Sequence, residues 1–150
     1  MTPADADFAQ RVLDSFARQA VMKTLGATLN TVEPGRVVIE MAQREALTQQ
    51  HGFLHAGIVS TALDSACGYA AFSLMPADAA VLTVEFKVNL LAPARGPQFR
   101  FEGRVTKAGR TISVVDGRAW QRAPDDAEES LIATMTATVM TVQGRPNIHH

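Results

Sequence analysis

Cysteine is almost missing from this sequence. Cys67 is the only one in 150 residues, so no intramolecular disulfide can form, and a reducing, cytoplasmic setting fits. Charge of one sign is also missing. Fourteen Lys and Arg stand against fifteen Asp and Glu, for a net charge of −1, and no basic run occurs. That leaves no field to gather nucleic acid or an anionic membrane, so neither is an expected partner. The longest apolar stretch contains His55, Asp64 and several hydroxyls, and does not read as a membrane span. The N-terminus, Met1 to Asp7, is too acidic and polar for a signal peptide. Repeats and low-complexity segments are absent. What remains is 47% hydrophobic and 19% charged, the balance of a folded globular chain, and one domain over 1–150 is the expectation. Residues 144–150 read as a loose tail.

Asp64 is the only formally charged side chain between Glu45 and Asp78. A carboxylate in a buried stretch is paired, hydrogen-bonded or chemically active. Nine residues before it stands His55-Ala56-Gly57, a small-residue entry to a helix. A carboxylate on a buried helix behind a narrow turn is a candidate acid, base or nucleophile.

Phe8, Val12, Phe16 and Ala20 recur every four residues, which predicts an amphipathic N-terminal helix within residues 1–22. Thr24 to Glu33 and Arg36 to Ala42 read as a hairpin turning at Pro34-Gly35. The Ala-rich segment from about His55 to Leu74 is too long for a strand and reads as a helix, stopped by Pro76. Leu82, Val84, Phe86, Val88 and Leu90 alternate with polar residues, as in a half-buried strand whose polar face carries Thr83. Three further strands follow, Phe99 to Thr106, Thr111 to Gln121 and Leu131 to Val142. Short turns between these four strands predict an antiparallel meander. Its one apolar face needs cover, and the long helix supplies it; Gly57, Ala62, Ala66, Gly68, Ala70 and Ala71 keep that helix slim. The fold class is α+β.

His55-Ala56-Gly57, Leu63-Asp64 and Gly68, followed by Phe86-Lys87-Val88-Asn89-Leu90-Leu91-Ala92-Pro93-Ala94, resemble the PaaI-like hotdog-fold acyl-CoA thioesterases. The family signature is His-Gly-Gly with a carboxylate eight residues after its first glycine, and the resemblance runs from about Lys23 to Val142. It implies a hotdog fold, an antiparallel sheet wrapped around one long central helix, here with an extra N-terminal helix. It implies hydrolysis of an acyl-CoA to a free acid and coenzyme A, without cofactor or metal. Asp64 would be the catalytic carboxylate, activating water or attacking the carbonyl itself. The first motif glycine is Ala56 here; its backbone N–H, with that of Gly57, would polarise the thioester oxygen, which a negative φ at Ala56 permits. Gln49 takes the place of an orienting Asn. Thr83 stands where a Ser or Thr holds the attacking water from the partner subunit. Lys107 and Arg110 lie where basic residues meet coenzyme A phosphates. Hotdog sites form between subunits, so a homodimer, often paired into a tetramer, is implied.

The residues also admit plainer readings. His55 can be a packing residue that shapes the turn, and Lys107 and Arg110 can simply solvate one. His51 and His55 are too few for a metal site. Cys67 has no electropositive neighbour in sequence and reads as a buried, inert thiol. Phe53, Leu54, Ile58 and Leu63 would line an apolar acyl pocket. Two other functions compete with hydrolysis: a non-catalytic acyl-thioester binding protein, and a 3-hydroxyacyl thioester dehydratase using His51 and Asp64, thirteen apart.

Overall fold

A computed structural model describes residues 1–126 and 128–150. The N-terminal segment forms two helices, not one: α1 (Phe8–Arg18) and α2 (Ala20–Leu25), broken at an extended Gln19. Val12 and Ser15 are buried, and Phe16 packs on Tyr69 with ring centroids 6.0 Å apart. Gly26, at φ 66°, ends α2 in the left-handed conformation that favours glycine. The first strand, β1 (Thr28–Glu33), therefore starts four residues later than Thr24. β2 (Arg36–Ala42) completes the hairpin.

The long helix is α3 (Ala56–Phe72), and after it come β3 (Ala80–Leu90), β4 (Gln98–Lys107), β5 (Ile112–Arg122) and β6 (Ser130–Val142). Among the described residues, six strands form one antiparallel sheet in the order β1-β2-β4-β5-β6-β3. The meander holds for β4, β5 and β6 only. β3 sits at the far edge beside β6, and β4 returns beside β2. Three inter-strand spacings, about 14 Å, separate β3 from β4. The seven residues 91–97 can span about 23 Å when extended, so a short link suffices to cross the sheet end. Ile132 accepts the Leu91 N–H at 2.8 Å, and Gln121 Oε1 accepts the Arg95 and Gly96 N–H groups at 2.7 and 2.9 Å.

α3 lies across the inner face of the sheet. Two glycines let it approach. A Cβ on Gly103 would stand 2.3 Å from the Ala66 carbonyl oxygen, and one on Gly117 would stand 2.9 Å from Cys67 Sγ. The slim face of α3 thus meets bare backbone on β4 and β5. Ala62, Leu63, Ala66, Cys67 and Ala70 are fully buried there.

The edge strand departs from the expected half-buried pattern. A register shift between Thr83 and Glu85 breaks the alternation. Leu82, Val84, Phe86 and Leu90 are all exposed, Val84 at 54%. Thr83 pairs with buried Val139 and stays exposed itself, with its hydroxyl turned toward α3. The C-terminal residues are not loose throughout. His150 Nε2 meets the Val81 carbonyl at 2.9 Å, and its Nδ1 lies 3.0 Å from Ser15 Oγ.

Candidate active site

The entry to α3 gathers the first group of candidate residues. His55 sits at φ −59°, ψ 138° as the residue before the helix, and its Nδ1 accepts the Gly57 N–H at 2.8 Å. The Ile58 and Val59 N–H groups turn to the His55 carbonyl. Ala56 N–H has no acceptor among the described residues, and no non-glycine residue there has positive φ. Of the two expected donors, Ala56 is therefore free and Gly57 is engaged. A free N–H at a helix start carries partial positive charge and suits a developing oxyanion.

A cleft of about 490 Å³ opens beside Ala56. Gln49, Phe53, Leu54 and His55 line it, as does the crossing segment Leu90 to Ala94, with Ile132 behind. Ile58 is partly buried against the core and outside this wall. Leu63 is fully buried and also outside it, so the expectation that it lines an acyl pocket does not hold in the protomer. The Gln49 carboxamide oxygen accepts the His51 N–H, folding that side chain onto its own loop. His51 lines neither this cleft nor the surroundings of Asp64, so a single protomer does not bring the dehydratase pair together.

Asp64 is elsewhere. It lies eight residues beyond Ala56 on the same helix, about 12 Å along the axis. Its Oδ1 accepts the Thr83 hydroxyl at 2.7 Å. Thr83 therefore serves the carboxylate of its own chain, where a contact from a partner was expected. Burial raises the Asp64 carboxyl above its ordinary pKa, and the Thr83 bond draws it partly back. A separate crevice of about 240 Å³ opens at Asp64, walled by Gln19, Ser65, Tyr69, Val81, Thr83 and His150. Burial, then the charges of Asp64 and Asp116, hold the Cys67 thiol far above its usual pKa, so it is no thiolate nucleophile.

Lys107 and Arg110 are exposed at the β4–β5 turn. The register Ile112–Met140–Leu82 puts that turn at the Asp64 end of the sheet, away from the Ala56 cleft. Gln19 and the Leu90-Leu91 wall were not anticipated as site residues. Leu90-Leu91 had a signal, two apolar residues running into a proline turn. Gln19 had none, because no glycine or proline marks the helix break.

The comparisons with known proteins agree with this architecture. The family model described as the thioesterase superfamily matches residues 51–128. A solved thioesterase family protein from Silicibacter pomeroyi is 62% identical, with a TM-score of 0.88 over 91% of this chain and 99% of that one. A candidate esterase of Saccharolobus solfataricus is 36% identical over 96 residues, 64% of this chain and 68% of the relative. The E. coli PaaI protein from the phenylacetic acid degradation operon shares the fold, with a TM-score of 0.81 at 18% identity over 92% and 95% of the two chains. The slim central helix and the antiparallel sheet wrapped around it are those of the hotdog fold, and the chain belongs to the thioesterase superfamily as a thioester hydrolase.

Proposed function

We propose that the chain hydrolyses acyl-CoA thioesters at sites built from two copies of itself. The observation that carries this reading is the separation of Ala56 from Asp64. One carbonyl group cannot reach an N–H and a carboxylate about 12 Å apart on one helix. The edge strand supplies the remedy. The Ala56 cleft lies at the Leu90 end of β3, and the Asp64 crevice lies at its Val81–Thr83 end. Antiparallel pairing of β3 with its copy, about the middle of the strand, exchanges those ends. Each Ala56 cleft then faces the Asp64 crevice of the other copy, twice per dimer. The same pairing covers Val84 and Phe86, which a lone edge strand leaves in water.

The chemistry follows from the two halves. Ionised Asp64 takes a proton from a water as the water oxygen bonds to the thioester carbon. The carbonyl oxygen becomes an oxyanion and accepts the Ala56 N–H of the opposite copy. Collapse of the tetrahedral species breaks the C–S bond, and the thiolate leaves with the proton held by Asp64. The products are the acid and the free thiol of coenzyme A. A carboxyl raised by burial is a better base at neutral pH than an ordinary aspartate. The apolar wall of Phe53, Leu54 and Leu91 suits an apolar part of the substrate. Lys107 and Arg110, at the Asp64 end, are available to coenzyme A phosphates.

A complementation experiment tests the shared site. Ala56→Pro removes only the free N–H: proline suits the first helical position, and the extended His55 tolerates a following proline. Ala56→Pro and Asp64→Asn should each lose about 100-fold or more in turnover of acyl-CoAs. Unfolding and refolding them together forms mixed dimers in which one site keeps both groups. Activity should return to about a quarter of wild type, since half the dimers are mixed and each has one intact site. Two inactive variants that stay inactive when mixed would sink the shared site. Wild-type protein that binds acyl-CoA without releasing thiol would sink hydrolysis.

A further inference from the structure

Gln19 stands at the break between α1 and α2, outside the stretch 51–128 that carries the family match. Its extended backbone, φ −77° and ψ 100°, lets the side chain reach α3. There Gln19 Oε1 accepts the hydroxyl of Ser65, the residue after Asp64, at 3.0 Å. That bond fixes one end of the carboxamide. The other end, Nε2, carries two N–H groups with no partner among the described residues, and Gln19 lines the same crevice as Asp64 and Thr83.

A water poised for attack has four directions to satisfy. One O–H goes to the base, and one lone pair faces the carbonyl carbon. Asp64 Oδ1 is engaged by Thr83, so Oδ2 is the oxygen open to the water. Thr83 Oγ has directed its proton to Asp64 and keeps a lone pair for the second O–H of the water. The remaining need is a donor to the second lone pair. Ser65 is committed to Gln19, and Tyr69 and His150 lie within hydrogen-bonding distance of Ser15. Gln19 Nε2 is the uncommitted side-chain donor in the wall. The crevice, about 240 Å³, has room for several waters at about 30 Å³ each.

We infer that Gln19 is a positioning residue for hydrolysis: its carboxamide N–H donates to the water that Asp64 deprotonates. This rests on the general-base role of Asp64 proposed above. It assigns part of the site to the N-terminal helices.

The test uses full-length protein and whichever of hexanoyl-CoA and phenylacetyl-CoA the wild type turns over. Gln19→Met keeps the length and removes the donor. Gln19→Glu keeps an acceptor for Ser65 and also removes the donor, which guards against a variant that merely packs badly. Both should lower kcat about 10- to 100-fold on the plateau of the pH profile, with KM unchanged. Added hydroxylamine reports the role directly, because it attacks without the held water. The ratio of acyl hydroxamate to free acid, each corrected for its rate without enzyme, should rise in both variants by the factor that kcat falls. A kcat within twofold of wild type, or a lowered kcat with an unchanged product ratio, overturns the inference while the hydrolase reading stands. One wild-type turnover in ¹⁸O-water that labels Asp64 itself makes Asp64 a nucleophile and overturns this inference together with the general-base role.

Discussion

The Thr83 hydroxyl donates to Asp64 Oδ1 at 2.7 Å, joining the edge strand to the central helix at the one carboxylate that α3 carries. The bond holds one carboxylate oxygen and leaves the other free. It also opposes the effect of burial on the Asp64 proton.

Thr83→Val should therefore move the acid limb of kcat/KM to higher pH. The hydroxyl stabilises the ionised carboxylate, so without it the proton is held more tightly, and less base is present at a given acidic pH. We expect kcat on the plateau to fall about 10-fold as well, since the carboxylate loses its fixed orientation. A pH profile superimposable on wild type would show that the bond does nothing for Asp64.

Asp64→Asn should leave stability equal or improved at neutral pH. A raised carboxyl pKa means the folded state holds the proton more tightly than the unfolded state. Stability from that group is thus present below the unfolded value, about 3.9, and declines as pH rises through the folded value. Asn removes this dependence. Thermal melts across pH should show the variant gaining on wild type between acid and neutral pH. The opposite trend would mean that Asp64 has a stabilising partner.

His55→Ala tests the helix entry. The imidazole Nδ1 caps the Gly57 N–H, and losing a cap costs about 1 kcal/mol. Urea unfolding should register that loss with an unchanged m-value. The Ala56 N–H needs no His55 side chain to remain free, so kcat should fall far less than in Ala56→Pro.

Gly103→Ala should destabilise by about 1–3 kcal/mol. Its Cβ would meet the Ala66 carbonyl oxygen at 2.3 Å, and backbone cannot swing aside as a flexible side chain can. Full stability in urea would mean α3 can lift from β4 at no cost.

Much of the fold was legible because its signals are local. The Ala-rich run before Pro76 specified α3 within about two residues at either end, and Pro34-Gly35 specified the first hairpin. The pairing of β3 was not legible. Pro93 to Pro97 looks like a hairpin turn, and only the assembled sheet shows the chain crossing β6 and β5 to reach β2. The exposure of Leu82 and Val84 was hidden for a related reason: alternation reveals two faces of a strand but not whether the sheet continues beyond its edge.

By itself the sequence singled out Asp64, since a lone charge in an apolar helix needs a reason, and it placed Ala56 two turns earlier because helical rise depends only on residue count. Tertiary structure decided everything that depends on which chain segments meet. It gave Asp64 the hydroxyl of its own Thr83, 19 residues away, and brought Gln19 to the Asp64 crevice across 46 residues to Ser65. It also put the Ala56 cleft and the Asp64 crevice at opposite ends of the edge strand β3. Contacts of that kind are set by packing of distant segments against a common core, and no spacing along the chain encodes them.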